Sequence, residues 1–251
     1  MNVRQRQILE LLTKNGEVFV QDLADQLNVA TMTIRRDLDA LEHEGSLIRT
    51  HGGAVLSNAS IVEFAFLKKG EERNAEKRAI ASRVAALLEP GMTVALDTGT
   101  TCLEVAKALK GISNLTVLTS SLAIASALYA CENISLVLLG GKARKGNPDL
   151  TGWLTEENLK HFRVDVAVLG ADGADRGGAY TTDDAVARVS QGMIAAASTA
   201  VLAADFSKFD RTSFLRYAAW PDFDHVITDT NLPHDTRQWL QQEAKRVTYA
   251  E

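Results

Sequence analysis

The sequence predicts a two-domain α/β protein, in which a small winged helix-turn-helix domain precedes a larger, Rossmann-like domain with a mostly parallel sheet. Three short segments before residue 45 carry apolar residues at helical spacing. A strand, a Gly-Gly pair and a second strand follow them in SLIRTHGGAVL. From Thr93 onward, short apolar strands alternate with helical segments such as Asp184–Ser198, as in a parallel sheet covered by helices. We place the domains at residues 1–56 and 76–251, with a linker at residues 57–75.

The bulk composition narrows the class of protein. The 251 residues are 46% hydrophobic and 24% charged, as expected for a globular protein that buries a substantial core. No apolar run reaches the roughly 18 residues that would span a bilayer. The first residues resemble a helix more than a signal peptide. The two cysteines lack metal-ligand spacing and are too few for a disulfide framework. We therefore expect a cytoplasmic protein with no membrane partner, no cofactor and no metal.

The first domain is predicted to contain three helices packed through one apolar face each. These faces consist of Ile8, Leu11 and Leu12 in the first helix, Val20, Leu23, Ala24 and Leu27 in the second, and Ile34, Leu38 and Leu41 in the third. Ser46–Leu56 then forms a hairpin that turns at Gly52-Gly53. Three helices and a hairpin make a winged helix-turn-helix.

The third helix carries side chains suited to DNA. At about 100° per residue, Arg36 points away from the apolar face, and Arg35 flanks it. Hydroxyls and amides at a helix start bind phosphates, whereas arginine reaches base edges. The predicted DNA-binding residues are Thr31, Thr33, Arg35 and Arg36 on the helix, with Arg49 and His51 on the hairpin. The alternatives are solvated side chains on a small helical packing domain.

The charge of this domain argues for an oligomer. Residues 1–56 contain six Lys and Arg residues and eight Asp and Glu residues, and the whole chain has a formal net charge of −5. One copy should therefore bind DNA weakly. Tight binding requires linked copies, so we expect a homo-oligomer, a dimer or a tetramer.

Polar residues follow five of the predicted strands. Ligands of parallel sheets bind at the carboxyl ends of the strands, so these residues should line one site. The predicted small-molecule site consists of Asp97, Thr98, Gly99, Thr100 and Thr101 after the first strand, Thr119, Ser120 and Ser121 after the second, Gly141 after the third, Asp172 and Gly173 after the fourth, and Lys208 after the fifth.

The loop after the first strand is suited to a phosphate. Gly99 permits close backbone approach, Thr100 and Thr101 supply hydroxyls, and the helix that follows supplies amides. Lys208 adds a cation. Asp97 either ties the amides of its own loop or accepts a hydrogen bond from a sugar hydroxyl. Because Walker A and dinucleotide spacings are absent from the sequence, ATP and NAD are disfavoured.

Each of these residues also has a purely structural interpretation. The T-G-T-T loop is a tight turn in that case, and the hydroxyls after the second strand cap a helix. Lys208 then pairs with Asp205 or Asp210 at the surface. The basic loop at residues 142–146 closes over an anion, joins subunits or is solvated.

The segment VATMTIRRDLDALEHEGSLIRTHGGAV resembles the DNA-binding signature of the DeoR family of bacterial sugar-metabolism regulators. EKRAIA, LDTGTT, LTSSLAIA, LLGG, AADFSKFD and ITD resemble motifs of that family's effector domain, which is similar in fold to ribose-5-phosphate isomerase. The resemblance implies a repressor of double-stranded operator DNA and a phosphorylated sugar or sugar alcohol as its effector.

Three departures from the family pattern are visible. Ala30 replaces a serine that would cap the third helix, so Thr31 could serve as the cap and the helix would begin one residue later. Ser120 replaces an asparagine, and TTDDAVARVS lacks a glutamate that is common in the family. The last two lie at the predicted pocket.

The missing glutamate distinguishes a sensor from an enzyme. An aldose–ketose isomerase needs a carboxylate base, which is a glutamate in isomerases of this fold. No glutamate lies between Asp175 and Ser198, and Asp183 and Asp184 are each one methylene shorter. We therefore predict a transcription factor and not an enzyme. The alternatives are a sugar-phosphate isomerase with an accessory DNA-binding domain, and a structural DNA-bound protein with a vestigial pocket.

Overall fold

Residues 1–56, 69–145 and 147–251 are described in the computed structural model of the chain. They form two units, Met1–Lys69 with Lys145–Asn147, and Gly70–Arg144 with Pro148–Glu251. Most of the predicted linker, residues 57–68, lies outside the described residues, as does residue 146 of the basic loop. The second unit includes Gly70, so its backbone begins within the stretch predicted as linker.

The first unit contains three helices and a small antiparallel sheet. In chain order these are α1 (Val3–Asn15), β1 (Glu17–Phe19), α2 (Val20–Leu27), α3 (Thr31–His43), β2 (Leu47–Arg49) and β3 (Gly53–Leu56). The predicted winged helix-turn-helix is confirmed. The sheet order β1-β3-β2 adds one strand that the sequence analysis did not predict.

Local chemistry sets the ends of these helices. Asn2 and Gln5 form a capping box at the start of α1, and Gly16 ends that helix with a φ of 79°. Asn28 ends α2 in the left-handed conformation. Apolar side chains from all three helices are 0–2% exposed and form one core: Ile8, Leu12, Leu23, Ile34, Leu38 and Leu41.

The two glycines of the hairpin have different roles. Gly52 lies in the turn, whereas Gly53 is the first residue of β3 and pairs with Phe19. A Cβ on Gly53 would lie 1.8 Å from the carbonyl oxygen of Val18, whereas one on Gly52 would meet nothing within 4 Å. The predicted Gly-Gly turn is therefore wrong for Gly53, which is needed for the close approach of β1 and not for turning.

The second unit is built on a parallel seven-stranded sheet with the order β15-β14-β12-β9-β4-β5-β6. Its strands are β4 (Thr93–Leu96), β5 (Leu115–Thr119), β6 (Ile134–Leu138), β9 (Val164–Leu169), β12 (Ala197–Ala203), β14 (His225–Asp229) and β15 (Val247–Ala250). All seven correspond to predicted strands, so the predicted fold class is confirmed.

Helices cover both faces of this sheet. On one face lie α4 (Asn74–Ala85), α5 (Thr100–Leu109) and α6 (Leu122–Leu128), which share a buried cluster with residues such as Val94, Val117 and Val168. On the other face lie α7 (Trp153–Leu159), α8 (Asp184–Ala196) and α9 (His234–Glu243), packed with Ala95, Leu118 and Leu202.

Several elements escaped prediction or differ from it. The helix predicted for Asp184–Ser198 ends at Ala196, and Ser198 belongs to β12. Short elements with too few residues for a periodic signal were missed: the hairpin β7 (Lys142–Ala143) and β8 (Leu150–Thr151), and the antiparallel sheet of β10 (Gly173–Asp175), β11 (Gly178–Thr181) and β13 (Leu215–Ala218). Among the described residues, no helix is both long enough and apolar enough to cross a membrane.

Candidate functional site

The carboxyl ends of β4, β5, β9 and β12 lie along one edge of the sheet. These four strands occupy adjacent central positions and run parallel, so the loops that follow them meet. They contain most of the residues predicted for a small-molecule site. Parallel sheets bind ligands in this position.

The loop after β4 turns through Gly99 into α5. Gly99 is the N-cap residue, with φ 104° and ψ 168°, a conformation that favours glycine. It therefore contributes no side chain to the first amides of the helix. Thr100 and Thr101 occupy the first turn and are 4% and 8% exposed. Amides at the positive end of a helix, flanked by hydroxyls, favour a bound anion.

Asp97 is used inside the protein. Its carboxylate accepts hydrogen bonds from the amide of Thr98 at 2.7 Å, the amide of Gly170 at 3.4 Å and the hydroxyl of Ser190 at 3.0 Å. Burial raises the pKa of Asp97 to about 6, although these three hydrogen bonds oppose the shift. Of the two roles considered for Asp97, the geometry favours tying the loops together.

The three hydroxyls after β5 have three different environments. Thr119 donates to the carbonyl of Leu96 at 2.8 Å, and Ser121 caps α6 by accepting from the amide of Ile124 at 3.3 Å. The hydroxyl of Ser120 is buried and has no hydrogen-bond partner among the described residues. An unpaired buried hydroxyl is costly, and a bound ligand could satisfy it.

Two of the predicted glycines have packing reasons of their own. A Cβ on Gly141 would lie 2.1 Å from the hydroxyl oxygen of Thr155, and one on Gly173 would lie 2.5 Å from the carbonyl of Arg211. Gly173 also lies within β10, where it pairs with Tyr180, and not at a strand end. Both glycines permit close backbone packing, and their contact with a ligand stays a prediction.

Asp172 lies beyond β9 and faces hydroxyls of its own neighbourhood. Its Oδ2 accepts from the hydroxyl of Thr181 at 3.3 Å, and from the amide and the hydroxyl of Thr182, each at 3.1 Å. Asp172 thus lies among hydroxyl groups, and its contact with a ligand stays a prediction.

Arg144 is a site residue that the sequence analysis did not single out. Its guanidinium binds both oxygens of Asp149, at 2.9 and 2.6 Å, and lies 3.5 Å from Asp183. Asp149 forms a β-bridge with Ser121, which brings the pair to the end of β5. Three roles were open for the basic loop at residues 142–146: closing over an anion, joining subunits, or being solvated. In the structure, Arg144 of this loop is folded inward. The signal in the sequence was Asp149, an acid that follows the basic loop within three residues.

A second arginine reaches the same edge from the position just before α4. Arg73 precedes α4, and its Nε lies 3.8 Å from Asp205, whereas its guanidinium carbon lies 5.5 Å from the centre of the Phe206 ring. Lys208 is partly buried in the same short 3₁₀ turn, Phe206–Lys208. Arg73 lies in a run of charged residues within the predicted linker, where no local pattern distinguishes it from its neighbours.

Cys102 does not have a reactive thiol. It is 0% exposed, and burial raises its pKa well above the ordinary value. A helix start can lower the pKa of a thiol, but at Cys102 desolvation outweighs the helix terminus. Cys102 serves as a small buried packing group.

In the first unit, α3 exposes the predicted DNA-binding face. Ala30 is the N-cap residue, without a side-chain cap bond, and the helix begins at Thr31. The alternative that Thr31 caps the helix is therefore wrong. Arg35 and Arg36 are exposed, and Thr31 and Thr33 are partly buried. His51 is exposed on the wing, the hairpin formed by β2 and β3.

Arg49 is held within the first unit. Its guanidinium pairs with Asp39 and donates to the carbonyl of Arg35 at 3.3 Å, and its amide donates to Glu42 at 3.0 Å. These bonds fasten the wing to α3. A direct contact of Arg49 with DNA stays a prediction, and the geometry favours a positioning role.

No group of three or more His, Cys, Asp or Glu side chains in the described part of the chain is arranged to hold a metal ion.

The comparisons with known proteins agree with both units. The sequence model of the DeoR-like helix-turn-helix domain matches residues 4–60, and that of the DeoR C terminal sensor domain matches residues 72–230. The chain is therefore a DNA-binding transcriptional regulator with a sensor domain. It belongs to the DeoR family.

Curated relatives match along nearly the whole chain. The transcriptional repressor AccR of Agrobacterium fabrum is 36% identical over 229 residues, covering 90% of this chain and 89% of that protein. The glycerol-3-phosphate regulon repressor of Escherichia coli is 32% identical over 238 residues, covering 94% of each. The lactose phosphotransferase system repressor of Lactococcus lactis is 34% identical over 237 residues, covering 92% of this chain and 93% of that protein. Among solved structures, ribose 5-phosphate isomerase A from Neisseria gonorrhoeae is 18% identical, with a TM-score of 0.40, and the match covers 53% of this chain and 52% of that chain.

Proposed function

We propose that this regulator represses a carbohydrate-metabolism operon in the cytoplasm, and that a phosphorylated sugar or sugar alcohol, bound at the strand ends, changes its affinity for operator DNA. The observation that carries the proposal is the Gly99 turn, which presents the first turn of α5 without a side-chain cap. The relatives named as repressors of glycerol-3-phosphate and lactose systems support this class of effector.

The phosphate is assigned to the loop Thr98–Thr101. The amides of the first turn of α5 and the hydroxyls of Thr100 and Thr101 supply hydrogen-bond donors. Lys208 supplies a positive charge from the neighbouring loop. Because Asp97 is turned inward to the amides of Thr98 and Gly170, its charge is directed at the protein and not at the phosphate.

The polyol part of the effector is assigned to the ends of β5 and β9. Ser120 offers a buried hydroxyl that lacks a partner among the described residues. Asp172 offers a carboxylate in a hydroxyl-rich environment. Sugar hydroxyls both donate and accept, so they can satisfy both groups at once. Gly141 and Gly173 shape the surrounding backbone.

The same geometry favours a sensor over an enzyme. Asp183 caps α8 by accepting from the amides of Ala185 and Val186, and it also lies 3.5 Å from Arg144. Asp184 is paired with Arg188 at 2.9 Å. Both aspartates that could replace the missing glutamate are thus engaged in structural contacts. Proton abstraction needs a base within hydrogen-bond reach of the substrate.

Operator binding is assigned to the exposed face of α3 with Thr31, Thr33, Arg35 and Arg36, supported by His51 and Arg49 on the wing. Because the first 56 residues are slightly acidic, we propose that a homo-oligomer, a dimer or a tetramer, binds the operator through several copies of α3.

The effector class is tested by thermal shift on the full chain with ribose 5-phosphate, glucose 6-phosphate and glycerol 3-phosphate, each beside its unphosphorylated parent. A ligand that binds the folded state raises the melting temperature with concentration. We expect at least one phosphorylated compound to do so and the parents not to. Turnover of ribose 5-phosphate to the ketose would instead favour the isomerase.

A further inference from the structure

The residue before α4 has an unusual backbone. Arg73 has a φ of 52° and a ψ of 40°, in the left-handed region that side-chain-bearing residues rarely adopt. A non-glycine residue is held there by its surroundings, and such positions concentrate at ligand and switch sites. The surroundings of Arg73 are therefore informative.

The guanidinium of Arg73 is only loosely held. Its Nε lies 3.8 Å from Asp205 and a second nitrogen lies 3.9 Å from Glu72, both beyond hydrogen-bond distance. Phe206 lies under the guanidinium, with its ring centre 5.5 Å from the central carbon. The carboxylate of Asp205 also accepts from the amide of Ser207 at 3.1 Å, so Arg73 shares this acceptor with a second donor.

The chain just before Arg73 approaches the proposed phosphate loop at Gly70. A Cβ on Gly70 would lie 3.8 Å from the methyl group of Thr100, in the first turn of α5. Phe206 and Lys208 belong to the same short turn at the end of β12. The side-chain oxygen of Asn74, next to Arg73, is buried without a hydrogen-bond donor among the described residues. Arg73, whose ion-pair partners lie beyond hydrogen-bond distance, is thus next in the chain to Asn74, whose side-chain oxygen lacks a donor among the described residues.

We propose that Arg73 binds the phosphate of the effector together with Lys208, and that this contact transmits effector binding to the segment leading to the helix-turn-helix domain. The inference rests on the proposed function of the strand-end site. Arg73 exchanges its distant partner Asp205 for two hydrogen bonds to a phosphate, and Asn74 accepts from a hydroxyl of the same ligand.

The position of Arg73 in the chain gives the contact its regulatory meaning. Lys69 ends one unit and Gly70 begins the other, so Arg73 lies three residues into the sensor unit. A ligand can shift an equilibrium only through contacts that differ between two states. A guanidinium that changes partners at the start of the sensor unit supplies such a difference.

The test compares the full-length wild type with Arg73→Ala, Arg73→Gly and Arg78→Ala. Glycine tolerates the left-handed backbone, so Arg73→Gly removes the side chain without strain. Arg78 is the matched control, since it lies on α4, the helix that Arg73 precedes, its side chain is 71% exposed and its Nε lies 3.7 Å from Glu104. The affinity for each sugar phosphate is measured by calorimetry. The affinity for a duplex selected from a random library is measured by fluorescence anisotropy, with and without the sugar phosphate.

We expect both Arg73 variants to bind the sugar phosphate about tenfold or more weakly, because a charge-assisted pair is lost. At saturating sugar phosphate, the change in their DNA affinity should fall below about twofold, against at least fivefold for the wild type and for Arg78→Ala. Arg73 variants that respond like the wild type would overturn this inference and leave the proposed function intact. A wild type that binds none of the sugar phosphates would overturn both.

Discussion

The hydroxyl of Ser190, in α8, donates a hydrogen bond to Asp97 at the end of β4, with 3.0 Å between the oxygens. The bond joins a helix on one face of the sheet to the loop that begins the proposed phosphate site. Asp97 also accepts from the amides of Thr98 and Gly170, so one buried carboxylate connects the loops after β4 and β9 with helix α8. Asp97 thereby fixes the site without needing to contact the ligand.

The buried charge of Asp97 should make the stability of the sensor unit depend on pH. The pKa of Asp97 is raised from 3.8 to about 6 by burial, so between these values the folded state holds a proton that the unfolded state has lost. The stability from this group is fully present below the unfolded pKa and is lost as the pH rises through the folded pKa. We expect the wild type to lose on the order of 3 kcal/mol relative to Asp97→Asn between pH 4 and pH 7.

Urea unfolding of both proteins across this pH range measures the difference. Taking the wild type minus Asp97→Asn cancels the contributions of other titrating groups. A difference that stays constant from pH 4 to pH 7 would show that Asp97 is ionised normally.

The unpaired hydroxyl of Ser120 should contribute more to ligand affinity than to the free energy of unfolding. Ser120→Ala removes a buried hydroxyl that has no partner among the described residues, so the free energy of unfolding should stay unchanged or rise by up to about 1 kcal/mol. The affinity for a sugar phosphate should fall about tenfold. Chemical denaturation and calorimetry measure the two effects.

Thr119→Val is the matched control for Ser120→Ala. It removes a hydroxyl that donates to Leu96 at 2.8 Å and accepts from the amide of Ser121 at 3.1 Å. We expect it to lower the free energy of unfolding by about 1–3 kcal/mol. If Ser120→Ala lowers stability as much as Thr119→Val does, its hydroxyl has a protein partner and the ligand assignment loses its basis.

The wing should tolerate a methyl group at one glycine and not at its neighbour. Gly53→Ala places a Cβ 1.8 Å from the carbonyl oxygen of Val18, whereas Gly52→Ala meets nothing within 4 Å. We expect Gly53→Ala to destabilise the first unit by about 2 kcal/mol or more and Gly52→Ala to have little effect. Thermal unfolding monitored by circular dichroism distinguishes them, and equal melting temperatures would contradict the pairing of β1 with β3.

The exposed arginine in the middle of α3 should dominate DNA binding. Arg36→Ala is expected to weaken binding of a selected duplex about tenfold or more, because a base-edge contact is lost while the core is untouched. Lys14→Ala removes one positive charge from the exposed end of α1 and serves as the control. Gel shifts at fixed salt compare the variants, and an Arg36→Ala protein as tight as Lys14→Ala would count against α3 as the recognition helix.

The sheet and the first unit were predictable because their signals are local. Several strands of the parallel sheet are short, largely apolar runs that stop at a glycine or a polar residue, as Val164–Leu169 does before Gly170. The spacing of the apolar residues, together with the residues that end each run, is enough to find such elements. β1 was missed because three residues, Glu17–Phe19, are too short to show alternation, and its presence changes the role of Gly53.

The backbone of the site was predictable from the sequence, but the arginines that lie beside it were not. The glycine and hydroxyls of Thr98–Thr101 are contiguous in sequence, so their joint position follows from one strand end. The pairing of Arg144 with Asp149 and Asp183 depends on how a hairpin folds back onto α8, which no local pattern encodes. Arg73 reaches Asp205 across 132 positions of sequence, and its left-handed backbone has no composition signal.

The central claim is that the ligand held at the Gly99 turn is sensed by the DNA-binding unit. The most direct measurement is the affinity of the full chain for a selected duplex, by fluorescence anisotropy, as each sugar phosphate is titrated. We compare the wild type with the double variant Thr100→Ala, Lys208→Ala. The account predicts that one sugar phosphate changes the wild-type affinity at least fivefold, and that the double variant binds the duplex normally but ignores the ligand. An undiminished response in the double variant would contradict the account.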